Sequence, residues 1–316
     1  MTSLKSIPWA MGNVSKGEEW LAITFNNQAR LQWTDDEFEK FTITSSSIVR
    51  QAYDRMSEHN PQANHPWASP ERADAEVAFL VDAMPLPKGC SIVDFGCGSG
   101  RHAKALAARG YEVVGVDFST AAICQANLEV VEGARFLEGD CRDIDLDRVF
   151  DAGVCLYDVI GSFPDDGSNQ RLLSNLAQQL KAGAPLAFSV MSYDYIEKQA
   201  TNKVGNGNVR EKLDELKPSH AMQTTGEVFN PDHILLDTRN KVVYRREIFD
   251  SGEKFRIEEI VRDRRYTFSD LRDMCNAASL TIQAIGYIRA GKFHMVSDNL
   301  KEPTKEILVL AKKGLV

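Results

Sequence analysis

The chain has 316 residues, 43% of them hydrophobic and 26% charged, which is enough apolar material for one large domain or a domain with an elaborated cap. Its formal net charge of -8 argues against a polyanionic partner such as nucleic acid, because neutralising phosphates requires a basic surface. No stretch approaches about 18 apolar residues, and the N-terminus lacks the apolar core of a signal peptide. We therefore expect no membrane span and no membrane partner.

The six cysteines lie at positions 90, 97, 124, 141, 155 and 275 and form no Cys-x-x-Cys pair. This spacing favours free thiols in a reducing compartment over disulfides or a zinc site. We expect a cytoplasmic protein that holds no metal.

Residues 1–70 are polar and irregular, with short helical stretches and scattered tryptophans, and Pro61, Pro66 and Pro70 interrupt any longer helix. We interpret this segment as a helical cap that closes over a ligand, with Tyr53 among the substrate contacts. A surface extension whose aromatic side chains pack on the core is the other interpretation, and the two are compatible because a cap must also pack on the core.

Between residues 70 and 191 helical and strand patterns alternate, which predicts a mostly parallel sheet covered on both faces. Helices are predicted at 70–84, 101–109, 119–128 and 167–180, and strands at 91–96, 112–117, 134–138, 151–156 and 184–191.

Residues 195–265 interrupt this alternation. Three short strands at 233–238, 241–249 and 254–262 predict an antiparallel ribbon. Thr267 then begins a helix at 268–278, and strands at 280–287 and 305–312 bring the number in the main sheet to seven.

The first strand of the sheet leads directly into a glycine-rich turn with Gly96, Gly98 and Gly100, and the second strand ends on Asp117. Such a turn brings bare backbone close to a ligand, and an acidic residue at the tip of the next strand can accept both ribose hydroxyls. The pattern predicts an adenosine-containing cofactor. The glycine spacing differs from that of dinucleotide sites, and Asp94 before the loop would repel a phosphate but attract a cationic amino group.

Residues 93–100, 113–118 and 138–141 together resemble the class I S-adenosylmethionine-dependent methyltransferases of the small-molecule type. The resemblance covers residues 75–195 and resumes at 265–316. It implies S-adenosylmethionine as cofactor and an α/β, Rossmann-like seven-stranded methyltransferase sheet whose last strand is antiparallel. The expected organisation is a cap at 1–70, a core formed by 71–195 and 266–316, and a β-ribbon insertion at 196–265 over the active site.

The same resemblance implies a set of cofactor contacts, with Asp140 near the adenine amino group. The structural alternatives are that the aspartates only cap turns and helices and that Cys97 only packs against the cofactor or the core. The expected cofactor-binding residues are Asp94, Gly96, Cys97, Gly98, Gly100, Asp117, Phe118, Asp140, Cys141 and Leu156.

Beyond the fourth strand lie Tyr157, Asp158 and Ser162, where the ligand crevice of an open α/β sheet is found. Enzymes of this class that methylate nucleic-acid bases usually carry Asn/Asp-Pro-Pro-Tyr/Phe here, and this chain does not, so we expect a small-molecule substrate. The alternative is that Tyr157 and Asp158 merely hold a loop in place.

The candidate catalytic groups are Tyr157, Asp158 and His102, which follows the glycine loop; His294, expected in the loop before the last strand, is a second possible base. Arg245 is either a ligand for a substrate carboxylate or part of a solvated strand face. The expected substrate-binding residues are Tyr53, Tyr157, Ser162, Tyr193 and Arg245.

These patterns predict transfer of the sulfonium methyl group to an O, N or C atom of a small molecule, by a monomer or a homodimer. Two alternatives stay open. The enzyme could instead react at the aminocarboxypropyl arm of the cofactor, closing a ring and releasing methylthioadenosine. The protein could also bind the cofactor without catalysis.

Overall fold

The computed structural model describes residues 69–205, 209–224, 230–250, 256–289, 292–296 and 303–315. The predicted cap therefore lies outside the described residues, except for its last two positions, and so does Tyr53. The first described helix begins where the sequence places it, since Ser69 accepts a hydrogen bond from the Arg72 amide and Pro70 occupies the first turn.

The first half of the described chain alternates strands and helices, and each boundary agrees with the sequence prediction to within about two residues. In chain order the elements are α1 (Pro70–Ala83), β1 (Ser91–Phe95), α2 (Arg101–Ala107), β2 (Glu112–Asp117), α3 (Thr120–Leu128), β3 (Ala134–Glu138), β4 (Ala152–Cys155), α4 (Asp166–Gln178) and β5 (Pro185–Met191).

The second half contains more elements than the sequence predicts. They are α5 (Tyr193–Gln199), β6 (Asn202–Val204), α6 (Val209–Glu215), α7 (Ala221–Thr224), a 3₁₀ turn (Pro231–His233), β7 (Ile234–Asp237), β8 (Val242–Asp250), β9 (Arg256–Arg264), α8 (Phe268–Ala277), β10 (Leu280–Arg289), β11 (Lys292–Val296) and β12 (Glu306–Lys313).

The main sheet has the strand order β11-β10-β12-β5-β4-β1-β2-β3. Strands β3, β2, β1, β4 and β5 are parallel, whereas β12 is antiparallel to both β5 and β10. The seven-stranded Rossmann-like sheet with one antiparallel strand is thus confirmed. An eighth strand, β11, extends its edge by pairing with β10, so His294 lies on a strand and not in a loop as predicted.

A second sheet, with the order β6-β7-β8-β9, is formed by the segment between β5 and α8. The predicted antiparallel ribbon corresponds to β7, β8 and β9, and β6 adds a parallel edge strand that is only three residues long. Helix α5 packs on this sheet through an apolar cluster of Tyr193, Ile196, Ala200, Ile234, Leu236 and Val243.

Both faces of the main sheet are buried. Successive β1 side chains point to opposite sides and so pack into two different apolar clusters. Val93 and Phe95 pack with Leu172 of α4, while Ile92 packs with Leu80 of α1. Among the described helices, none is long and apolar enough to cross a membrane. This packing places the carboxyl ends of β1, β2 and β4 at one edge of the sheet, where a cleft opens.

Candidate active site

The glycine loop after β1 is held tightly against its neighbours. Gly96 and Gly98 have φ angles of 72° and 55°, in the left-handed region that favours glycine. The Gly96 amide donates to the Val116 carbonyl at 2.7 Å, and a Cβ on Gly96 would overlap the Val159 side chain. Glycine is therefore required at position 96, where the loop backbone borders the cleft.

Asp117 lies at the tip of β2, on the cleft. One carboxylate oxygen accepts the Gly98 amide and the other accepts the Ser119 amide, each at 2.9 Å. An ionised carboxylate accepts hydrogen bonds and donates none, which suits the two hydroxyl donors of a ribose. This is the geometry expected of a ribose-binding aspartate.

The cleft encloses about 900 Å³, including open space at its mouth. Most residues that the sequence assigns to the site do line it, and no described group of three or more His, Cys, Asp or Glu residues is placed to hold a metal ion. The predicted residues on its lining are Gly96, Cys97, Gly98, His102, Asp117, Phe118, Asp140, Cys141, Leu156, Tyr157, Asp158 and Ser162.

Asp94 and Gly100, predicted to contact the cofactor, are not among the residues that line the cleft. Asp94 is only 2% exposed, and burial raises its pKa to about 7 against the opposing charge of Arg101. Its Oδ2 has no hydrogen-bond partner among the described residues. Gly100 is the N-cap of α2, and a Cβ there would lie 2.5 Å from the Phe136 ring. Both residues support the glycine loop on the side away from the cleft.

Tyr193 and Arg245 also lie away from the cleft lining. The Tyr193 hydroxyl donates to Glu197 at 3.0 Å, because α5 turns this side chain toward the second sheet. The Arg245 guanidinium is buried and pairs with Asp263 at 2.7 Å. Asp263 therefore binds the Arg245 guanidinium, for which the sequence analysis had considered a substrate carboxylate.

The side of the cleft near β3 is formed by Asp140 and Phe163. Arg142 donates to Asp140 at 2.7 Å, and its guanidinium lies 4.3 Å from the centroid of the Phe163 ring. Burial opposes ionisation of Asp140, but the Arg142 hydrogen bonds outweigh it and lower its pKa. Asp140 is thus an ionised acceptor held in one orientation.

A buried carboxylate that the sequence analysis missed, Glu76 of α1, lies behind the glycine loop. It pairs with Arg72 at 2.9 Å, with Arg101 at 3.0 Å and with His102 at 2.8 Å, and it accepts the Tyr157 hydroxyl. Burial works to raise the pKa of Glu76, but these partners, His102 first, lower it to about 2. Its position on the apolar face of a predicted helix could have identified Glu76 from the sequence.

His102 donates to this carboxylate in its neutral form. Burial and the Arg101 charge lower the pKa of His102 to about 4, so the imidazole is uncharged at pH 7. Its ring stacks on Tyr157, with centroids 5.6 Å apart and planes 15° apart.

Tyr157 and Asp158 follow β4 with φ angles of 62° and 66°, which is unusual for two successive residues other than glycine. Such backbone costs on the order of 1–3 kcal/mol per residue and is retained where the surroundings enforce it. The Tyr157 amide donates to Ser189 at 2.8 Å, and Arg265 donates to Asp158 Oδ2 at 2.6 Å. These contacts fix both side chains at the cleft.

Glu306, at the start of β12, is a second carboxylate that the sequence analysis missed. It is 2% exposed, and burial raises its pKa to about 7 although a hydrogen bond with Ser189 opposes the shift. Its charge interacts with Asp158 and Glu76. A single glutamate at a strand end carries no pattern by which sequence could have identified it.

A family model described as a methyltransferase domain matches residues 92–183, the segment that carries the glycine loop, Asp117 and Asp158. This segment of the chain is thus similar to the methyltransferase domain. The residues that line the cleft, from Gly96 to Leu172, all lie within the matched segment.

Individual relatives match only part of the chain. The ubiquinone biosynthesis O-methyltransferase of Coxiella burnetii (strain Dugway 5J108-111) is 31% identical over 112 residues, which is 34% of this chain and 46% of the relative. The cypemycin N-terminal methyltransferase of a Streptomyces species is 32% identical over 113 residues, 34% of this chain and 44% of the relative. The chain thus spans less than half the length of these curated relatives.

The fold is shared over a longer stretch. The crystal structure of an S-adenosylmethionine-dependent methyltransferase from Clostridium acetobutylicum ATCC 824 superposes with a TM-score of 0.57 and 16% identity, covering 84% of this chain and 98% of the other. At this identity the likeness concerns the fold.

Proposed function

We propose that this protein transfers the methyl group of S-adenosylmethionine to a small-molecule acceptor bound in the cleft. The observation that carries the proposal is the Asp117 carboxylate, fixed on the cleft by the Gly98 and Ser119 amides within the segment that matches a methyltransferase domain. The cofactor supplies a methyl group activated by a positively charged sulfur atom.

The described residues fit this cofactor. Asp117 accepts the ribose hydroxyls, Asp140 accepts the adenine amino group, and the bare backbone at Gly96 leaves room for close approach. The remaining cofactor contacts that we assign are those on the cleft lining: Cys97, Gly98, Phe118, Cys141 and Leu156.

The protein's own contribution is to position the acceptor and to exclude water. Tyr157, Asp158 and Ser162 line the cleft beyond β4, where the acceptor binds. A base is needed only when the acceptor atom keeps its proton at neutral pH. The candidate is Asp158, a lining residue whose Oδ1 is buried and has no hydrogen-bond partner among the described residues. We further propose that the cap at 1–70, with Tyr53, and the insertion at 196–265 close over the cleft.

Three observations favour a small acceptor over nucleic acid. The net charge is -8, the residues after β4 lack the Pro-Pro motif, and the relatives at about 30% identity are named for an O-methylation in ubiquinone biosynthesis and for an N-terminal methylation of cypemycin. All six cysteines are free thiols, which is consistent with our prediction of a cytoplasmic protein.

The test combines the purified chain, methyl-labelled S-adenosylmethionine and a panel of phenols, catechols, amines and amino sugars, followed by mass spectrometry of the products. Methylated product together with S-adenosylhomocysteine supports the proposal. Methylthioadenosine would instead show reaction at the aminocarboxypropyl arm. Binding of S-adenosylhomocysteine by calorimetry without any product would show a non-catalytic protein, and label in added DNA or RNA would overturn the choice of substrate class.

A further inference from the structure

A line of alternating buried charges leads from the cleft into the second sheet. Arg265 bridges Asp158 at 2.6 Å and Asp263 at 3.0 Å, Asp263 also binds Arg245 at 2.7 Å, and Arg245 lies 3.6 Å from Glu247. We call these five residues the buried charge chain.

The burial of this chain is unusual for ionisable groups. The side chains of Arg265, Asp263, Arg245 and Glu247 are between 1% and 6% exposed. Asp158 lines the cleft and is 18% exposed, although its Oδ1 is buried without a hydrogen-bond partner among the described residues. Buried ion pairs are costly to desolvate and are often no more stabilising than apolar residues of the same size. Stability alone is therefore a weak explanation for four such pairs in a row.

The buried charge chain ends at Asp158, which lines the acceptor end of the cleft. We propose that the buried charge chain orients the Asp158 carboxylate for uptake of the methyl acceptor's proton, with Arg265 as the positioning residue. This inference rests on the proposed function and adds the second sheet to the catalytic apparatus.

The electrostatic surroundings of Asp158 support this role. Burial raises the pKa of Asp158 to about 7, the Arg265 and Arg245 charges oppose this shift, and the Asp263 charge adds to it. The charge of Asp158 also interacts with Glu306 of the main sheet and with Tyr266, which follows β9. A base with a pKa near the working pH is the most effective kind.

A bond forms between the acceptor atom and the methyl carbon while the bond from that carbon to sulfur breaks, and its electron pair stays on sulfur. The acceptor's proton passes to an Asp158 carboxylate oxygen and afterwards to water. No oxidant or reductant is required.

The first test measures the protonation of Asp158 directly, by carboxyl ¹³C NMR titration of the full chain in complex with S-adenosylhomocysteine. The Asp158 signal is assigned by its loss in Asp158→Asn. We expect Arg265→Gln to raise the pKa by about 1 unit or more and Asp263→Asn to lower it, because the two substitutions remove opposite charges. Arg264→Gln is the matched control, since Arg264 pairs with the exposed Asp166 at 2.8 Å.

Opposite shifts in these two variants, with no shift in the control, support the proposal. An Asp158 pKa near its ordinary value of about 4 that neither variant changes would overturn it, as would shifts of the same sign. If Arg265→Gln does not fold, Arg265→Lys is used, and the lowering expected for Asp263→Asn still decides the outcome.

The second test uses the best acceptor from the product screen. We expect the kcat of the wild-type chain to fall at acid pH with the pKa found by NMR, and the kcat profile of Asp263→Asn to shift with the pKa of that variant. In Asp158→Asn we expect kcat to drop on the order of 100-fold or more, while KM for S-adenosylmethionine changes little. Methyl transfer that is unaffected by Asp158→Asn would refute the inference and leave the proposed function intact. Failure of the wild-type chain to bind S-adenosylhomocysteine would instead refute the proposed function.

Discussion

Tyr157 and Glu76 lie 81 positions apart in the chain, and the Tyr157 hydroxyl donates a hydrogen bond to the Glu76 carboxylate. Arg72 in turn donates to the Tyr157 hydroxyl oxygen at 3.1 Å. Burial and the charges of Glu306 and Glu76 raise the pKa of Tyr157, so it stays a phenol at neutral pH. Tyr157 therefore joins α1 to the end of β4 and borders the cleft with its ring.

Tyr157→Phe is expected to destabilise the fold by about 1–2 kcal/mol, because Glu76 and Arg72 lose a partner in a buried setting, while kcat stays within about threefold. Urea unfolding and steady-state kinetics measure the two quantities. Tyr193→Phe is the control, since its hydroxyl binds Glu197 away from the cleft lining. A hundredfold loss of kcat at unchanged stability would show that the Tyr157 hydroxyl is catalytic.

Glu76→Ala is expected to cost about 3–5 kcal/mol of unfolding free energy, because it leaves Arg72 and Arg101 beside an empty site. Glu71 lies exposed on the same helix, and Glu71→Ala is expected to change stability by less than about 0.5 kcal/mol. Urea denaturation of both variants at pH 7 makes the comparison. Equal losses would show that the Glu76 ion pairs contribute no more than ordinary helix residues.

Glu306 is expected to make stability depend on pH. Its pKa is about 7 in the folded chain against 4.5 in the reference state, so between these values the folded state holds one proton more than the unfolded state. The unfolding free energy must then fall as pH rises from 4.5 to 7, by up to about 3 kcal/mol from this group. Glu306→Gln removes this contribution, so relative to wild type the variant gains stability as pH rises.

Urea unfolding of wild type and Glu306→Gln at pH 5, 6, 7 and 8 tests this dependence. Glu112→Gln, an exposed carboxylate on β2, is the control and is expected to show no such trend. A constant difference between wild type and Glu306→Gln across the series would contradict the expected proton uptake.

Gly96→Ala is expected to weaken S-adenosylhomocysteine binding at least about tenfold, because its Cβ would overlap Val159 and displace the loop. Gly110 also has a left-handed φ, 89°, but a Cβ there would meet no atom within 4 Å. Gly110→Ala is therefore expected to cost about 1–2 kcal/mol of stability without loss of affinity. Calorimetry on both variants separates overlap with Val159 from backbone strain, and equal affinities would rule out the overlap.

Asp117→Ala is expected to weaken binding of S-adenosylhomocysteine by about 1–3 kcal/mol, since the ribose hydroxyls lose a charged acceptor. Glu112→Gln, at the opposite end of the same strand, is the control and is expected to bind normally. Isothermal titration calorimetry measures both. Unchanged affinity in Asp117→Ala would remove the main support for the cofactor site.

Much of the site could be predicted because it depends on short-range patterns. Gly96, Gly98 and Asp117 lie at strand ends, and the carboxyl ends of parallel strands meet at one edge of a sheet. By contrast, the contact between Asp158 and Arg265 joins residues 107 positions apart. Spacing within one element carries no information about such a pair, so Arg245 was assigned to a substrate although Asp263 neutralises it.

The sequence by itself determined the class of the fold, the boundaries of its core elements and the position of the cofactor loop. These features follow from side-chain periodicity, from glycine conformation and from the order of strands along the chain. Only the tertiary structure decided the partners of the buried charges, because each buried charge needs an opposite charge at close range. Glu76, Glu306 and Arg265 could be recognised as part of the site only once the packing of α1, β12 and the second sheet had brought their partners next to them.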